Sequence, residues 1–308
     1  MSEEQTPIHG KGLVHRPWKH HRLGAPHPTE GAAPSPPAAS LRRHRRLRLN
    51  QGRSEGCVAH ALSTAMRVVI AQLVALGLAA SSWEAFEASV RWFWATIRSE
   101  EDAGTGPLPN EGVDMVDCIT ALDHQGMIDW PRNADGSVQL SPDGRVSDVW
   151  TEDDVKNLPS PPPANMHARP TAAESELGRK RGVDTSRVQL LDPTQADFED
   201  HVRAAISATP IGWPVLVGIH ATSALQLWGD RWVPNQAPFA DPTGCTENDL
   251  HGVVVLDYRT EADGSTSYWI SNSWGDWGEE AGIWVTGAEF RALCVVAMRF
   301  EVSLKAVA

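Results

Sequence analysis

Four cysteines in 308 residues include no C-x-x-C pair and no short Cys/His spacing suited to zinc, so a structural metal site is not expected. No other cofactor is expected either. The opening residues MSEEQTPIHG hold no apolar stretch, which excludes reading them as a secretory signal. The expected setting is therefore a reducing one, the cytoplasm. Uninterrupted apolar runs are also absent: residues 61–80 approach membrane-span length but carry Arg67, Gln72 and Gly77, so they read as a buried core helix. No membrane partner is expected.

Charge of one sign is missing where it would matter for nucleic acid. The chain is −12 overall, with nine Lys/Arg against three acids in residues 1–50 and eighteen against thirty-six in the rest. That leaves a basic arm of +6 and a body of −18. An acidic body lacks the concentrated positive face that phosphate backbones require, so no nucleic-acid partner is expected. The stretch LRRHRRLR reads as a solvated arm. Oligomeric state is not legible in the sequence.

What is present is enough apolar sequence, 41%, for a substantial core. Residues 1–49 have neither helical nor strand period and read as an arm, of which the part up to about His27 has nothing to hold it. From Cys57 to about Leu78 the periodicity predicts a long central helix, with His60, Ser63, Thr64 and Arg67 on one side. A second helix is predicted from Ser82 to about Arg98, capped by Ser81 or Ser82. A third is predicted over VDMVDCITALDHQG, with Gly126 as its stop. Residues 131–190, including NLPSPPPANMHARP, lose all periodicity and read as a long ordered or half-ordered surface excursion. A short helix at TQADFEDHVRAAISA precedes the β-rich segments PVLVGIH, HGVVVLDYR, TSYWISN and GIWVT. Helices first and strands last predict an α+β fold in two lobes, helical over about 50–130 and β-rich over about 191–308.

The chemistry concentrates in NQGRSEGCVAHA, residues 50–61. A thiol on the first turn of a helix sits where the helix dipole favours an anion. A histidine imidazolium at the start of an apolar strand, His251, would lower its pKa further and serve as its base. His220, which ends a similar strand, is the rival for that role. Gln51 offers amide N–H groups without charge and, with the backbone N–H of Cys57, suits a developing oxyanion. Cys118 reads as core, whereas Cys245 and Cys294 show no preference.

Gln51, Cys57, LHGVVVLDY with His251, and YWISNSWGDWGEEAGIWV with Asn272 follow one another in an order that resembles the papain family of cysteine peptidases, over about residues 48–308. The segment NEGVDMVDCITALDHQGMI is similar to the matching helix of bacterial and phage-encoded members. The resemblance implies a papain-like peptidase domain over 50–308 that hydrolyses peptide bonds through a Cys57 acyl-enzyme, with a protein or peptide substrate. It implies that Asn272 orients His251, that Trp274 covers their hydrogen bond, and that Gly56, Trp274 and Gly112 line the cleft. Ser54 stands where secreted members have a disulfide cysteine, and Val58 where tryptophan is usual. Two other functions stay open: an amidase or acyltransferase acting on a non-protein amide, and an inactive interaction module. The module would fit a phage particle, in which case the virion is the location.

Overall fold

The apolar run beginning at Cys57 folds as one helix, α1 (Cys57–Ala75), in the computed structural model, which describes residues 13, 35–52, 54–101, 108, 111–141, 146–147, 168–221, 245 and 250–305. By length and composition α1 resembles a membrane span, but 89% of its most apolar window is buried inside the protein. Helices α2 (Val90–Glu101) and α3 (Met115–Gln125) pack against it, and so does the strand Leu250–Thr260. The polar side of α1 is buried as well. Ser63 Oγ donates to Ala88 O at 2.6 Å, and Arg67 donates to Glu84 O and Phe86 O beside the Glu87 carboxylate. Buried polar groups are tolerated when each is matched, and these match the backbone of the chain entering α2.

Asp114 caps α3 by accepting from the Val116 N–H, and Gly126, at φ 64°, ends it as predicted. The second helix differs from its expectation. Ser81–Trp83 makes a single 3-10 turn and α2 begins only at Val90, because Ser89 Oγ accepts from the Trp92 N–H at 3.0 Å. Ala88 meanwhile bridges Asp129 in an extended segment. The excursion 131–190 also holds regular structure. A Thr171/Glu174 capping box opens α4 (Ala172–Lys180), followed by β2 (Val183–Asp184) and β3 (Gln189–Leu191). Helix α4 buries only Gly178, so it carries no apolar stripe to be read. Most of NLPSPPPANMHARP lies outside the described residues.

The C-terminal half supplies α5 (Phe198–Ile206), β4 (Val215–His220), β5 (Leu250–Thr260), β6 (Thr266–Ser271), β7 (Gly282–Thr286), α6 (Gly287–Leu293), β8 (Cys294–Arg299) and β9 (Ser303–Leu304). Its antiparallel sheet runs β3-β8-β4-β5-β6-β7, and a strand from the arm, β1 (Ala38–Ser40), pairs with β5. The arm continues along this lobe. Arg42 pairs with Glu280 at 2.6 Å and stands over the Trp269 ring, while Arg45 donates to Ser271 Oγ and to the carbonyls of Glu280 and Ala281. The fold is thus α+β in two lobes. Helix α1 lies at the junction, packed against β5.

Candidate active site

Strand β5 comes down on the first turn of α1 because residue 252 is glycine. A Cβ there would lie 3.0 Å from Val58 Cα, inside ordinary contact distance. The close approach lets the Gly252 N–H donate to Cys57 Sγ at 3.2 Å. His251 is the neighbouring residue on the same strand. Its Nε2 donates to Asn272 Oδ1 at 2.7 Å, and the Ser273 N–H donates to the same oxygen at 2.7 Å. With Nε2 carrying the proton, Nδ1 is the basic nitrogen. Trp274 stacks on the imidazole at 4.6 Å between centroids and 29° between planes, and Trp277 meets Trp274 edge-on. His220 instead lies opposite Leu250 in the β4–β5 register.

Gln51 is positioned from a distance in sequence. The Gln51 N–H donates to Ser273 O at 2.8 Å, Asn50 bridges Trp274, and the Gly275 N–H donates to Leu49 O, so residues 49–51 run as a short ladder beside the N-S-W-G segment. The side chain is bound at both ends. Ser273 Oγ donates to Gln51 Oε1 at 2.5 Å, and Gln51 Nε2 donates to Ser54 O at 2.9 Å. Gly52 makes the turn at φ 55°, and Gly56 is the N-cap of α1.

Cys57 and His251 are both fully buried, at 0% exposure. The thiol is not the low-pKa group expected from its helix position. Burial pushes it up to about 12; the Gly252 N–H and the backbone N–H groups of Val58 and Cys57 act the other way, and the Glu55 carboxylate adds to the rise. In this conformation desolvation outweighs the helix terminus.

The arm reaches the strand that carries His251. Leu13, 4% exposed, bridges Val113 in parallel and directs its N–H to Leu250 O at 3.4 Å, so it touches both lobes beside His251. Its side chain fills a slot where a Cβ on Gly218 would lie 2.5 Å from Leu13 Cδ2 and 2.7 Å from Val296 Cγ1. The expectation that nothing holds the arm before His27 fails at this residue, because a lone leucine has no periodicity to betray it. Gly112, half-buried, immediately precedes Val113, and its carbonyl accepts from Arg98.

The structure therefore brings Gln51, Gly56, Cys57, His251, Asn272 and Trp274 together; among the described residues it shows no contact between Gly112 and these. Leu13, Ser147 and Ser273 also belong here and were not singled out by their sequence positions, and His60 joins them. His60, on the polar side of α1, is fully buried: it bonds to Gly56 O at 2.7 Å and Ser147 Oγ at 3.1 Å. Only Ser273, inside the N-S-W-G motif, carried a visible signal.

No protein-family model matches the chain, and no curated protein does. Solved structures do. Xylellain, a cysteine protease from Xylella fastidiosa, superposes with a TM-score of 0.64 at 18% identity, covering 98% of this chain and 99% of its own. The fold is papain-like. Procathepsin L2 from the Tenebrio molitor larval midgut gives a TM-score of 0.57 at 18% identity over 97% of this chain and 80% of its own. Procathepsin B S9 from Trypanosoma congolense gives 0.56 at 12% identity over 96% and 87%. On this papain-like scaffold Ser54, Gly56 and Val58 surround the thiol: Ser54 is buried, and a Cβ on Gly56 would stand 3.4 Å from Ser54 Oγ.

Proposed function

We propose that the chain is a cysteine peptidase that cleaves peptide bonds through a thioester on Cys57. The observation that carries the reading is the convergence of three hydrogen bonds: the Gly252 N–H on Cys57 Sγ, His251 Nε2 on Asn272 Oδ1, and Ser273 Oγ on Gln51 Oε1. Once peptide and water enter and the thiol loses its proton to His251 Nδ1, the thiolate attacks the carbonyl carbon. The resulting oxyanion meets the Cys57 backbone N–H and the second hydrogen of Gln51 Nε2. The His251 imidazolium then protonates the leaving amine, the C–N bond breaks, and a thioester remains. Water, deprotonated by His251, attacks that thioester and releases the acid. Asn272 keeps the ring in one orientation through both steps without adding a charge.

A peptide, rather than a non-protein amide, is favoured by Leu13. A residue of extended chain lies between Val113 and Leu250 with an aliphatic side chain in the slot, as a peptide substrate would. The test is hydrolysis of a mixed peptide library by the full chain and by its Leu13→Asp variant, with Cys57→Ala as control. Cleavage by the first two and none by the control supports the proposal. Turnover by Cys57→Ala, or none by any of the three, refutes it. Cleavage confined to non-protein amides moves the reading to an amidase, and silence toward both substrate classes to an interaction module.

A further inference from the structure

His60 lies one turn beyond Cys57 on α1, fully buried, and the reaction above does not use it. Its two ring nitrogens are both engaged. The partner of Nδ1, at 2.7 Å, is the Gly56 carbonyl oxygen, which can only accept, so Nδ1 carries a hydrogen. In the neutral ring Nε2 is then the acceptor, and Ser147 Oγ, also fully buried, donates to it at 3.1 Å. The same Gly56 oxygen takes the His60 backbone N–H at 3.0 Å. Gly56 has no side chain with which to cap α1, so the imidazole supplies a fixed point that the N-cap itself does not.

The Gly56 carbonyl and the Cys57 N–H are opposite edges of one planar peptide unit. Whatever fixes the direction of the oxygen fixes the direction of the N–H. A hydrogen bond accepted at the oxygen also polarises the unit and strengthens its N–H as a donor, by roughly 10–30% per bond. We infer that His60 is a positioning residue for the oxyanion site, aiming and polarising the Cys57 N–H through the Gly56 carbonyl, and that Ser147 holds it in the required tautomer. Residues 146 and 147 grip the turn on both flanks, because Val146 O accepts from the Asn50 N–H at 2.9 Å, one residue before Gln51. Both proposed oxyanion donors are thus steadied by the same short segment.

The inference rests on the peptidase reading, and the experiment separates the two. In the full chain, His60→Phe keeps a ring and loses both hydrogen bonds. The expected fall in kcat is about tenfold at unchanged KM, less than the ~10²–10³ that follows loss of an oxyanion donor outright. Affinity for a leucine-containing peptide aldehyde, whose hemithioacetal oxygen occupies the same place, should fall by a similar factor. Alkylation of Cys57 by iodoacetamide, which forms no oxyanion, should stay within about twofold. His60→Gln should restore most of the loss, since Gln72 on the same helix already donates from Nε2 to the carbonyl four residues back, Val68 O, at 3.3 Å. Ser147→Ala should show a smaller loss of the same kind, and it serves where His60→Phe does not fold. Wild-type kcat in His60→Phe, or in Ser147→Ala where that variant stands in, overturns the inference alone. A fall in alkylation that matches the fall in kcat also overturns it, because the thiol itself would then be disturbed. Silence toward peptides both in the unaltered chain and in its Leu13→Asp variant sinks the peptidase reading and this inference together.

Discussion

Ser273 Oγ donates to Gln51 Oε1 at 2.5 Å, while the Ser273 carbonyl takes the Gln51 N–H at 2.8 Å. The residue after Asn272 thus holds the proposed oxyanion amide by both its backbone and its side chain. Gln51→Ala removes that donor, and kcat should fall about 10²–10³-fold with KM little changed. Ser273→Ala leaves the amide in place without its anchor, and the fall should be nearer tenfold. Steady-state kinetics on one peptide substrate distinguishes the two. A change in KM alone for Gln51→Ala would assign it to binding.

The bond between Gln51 and Ser273 also shows where sequence reading stops. The helix at Cys57–Ala75, the Gly126 stop and the strand that carries His251 all follow from signals within a few residues of themselves. The Gln51–Ser273 and His60–Ser147 pairs join positions 222 and 87 residues apart, and no periodicity links such partners. The late start of α2 at Val90 was lost for a related reason: which of Ser81, Ser82 and Ser89 meets a first-turn N–H depends on where tertiary contacts let the helix begin. Leu13 and Ala38–Ser40 were unreadable because one buried leucine, or three paired residues, make no pattern.

The Glu87 carboxyl, pushed up to about 7 by burial and pulled back in part by Arg67, ties stability to pH. Unfolded, an ordinary glutamate titrates at about 4.3. Between that value and about 7 the folded chain binds the extra proton, so this contribution to stability falls as pH rises through the window and is level above it. Glu87→Gln should flatten the decline. Thermal unfolding at pH 5 and pH 8 is the check, and an equal drop in Tm in both proteins would remove Glu87 as its source.

The arm's arginines should not behave alike toward salt. Arg48 and Asp276, 3.5 Å apart, are both largely exposed, and reversing Arg48 should produce a small loss that fades as salt rises. Arg45 is different. Its guanidinium, brought down to about 10 chiefly by burial, donates to Ser271 Oγ and the Glu280 and Ala281 carbonyls, partners that ions do not screen. Arg45→Glu should lower Tm substantially and equally at about 0.05 M and 0.5 M salt, unlike a surface pair governed by a Debye length of roughly 4–14 Å over that range. A loss that disappears in high salt would mean the contact is only a surface ion pair.

Leu13 makes the two ends of the arm act in opposite directions. Residues 38–40 add a strand to β5, and Arg42 and Arg45 pack against Trp269, so removing residues 1–48 should lower stability and turnover together. Removing residues 1–27 takes away Leu13 but none of these contacts. The slot between Val113, Gly218 and Leu250 then opens to water on the strand that carries His251, and the expected result is relief of part of the desolvation that raises the Cys57 thiol. The thiolate fraction at pH 7 therefore rises. Iodoacetamide should label Cys57 faster in the shortened chain, with the rise in rate beginning at lower pH, while Tm changes little. Leu13→Asp should reproduce the effect within the full chain, because an ionised carboxylate is costly to leave in an apolar slot. Unchanged labelling in both variants would show that Leu13 covers the cleft without controlling the thiol.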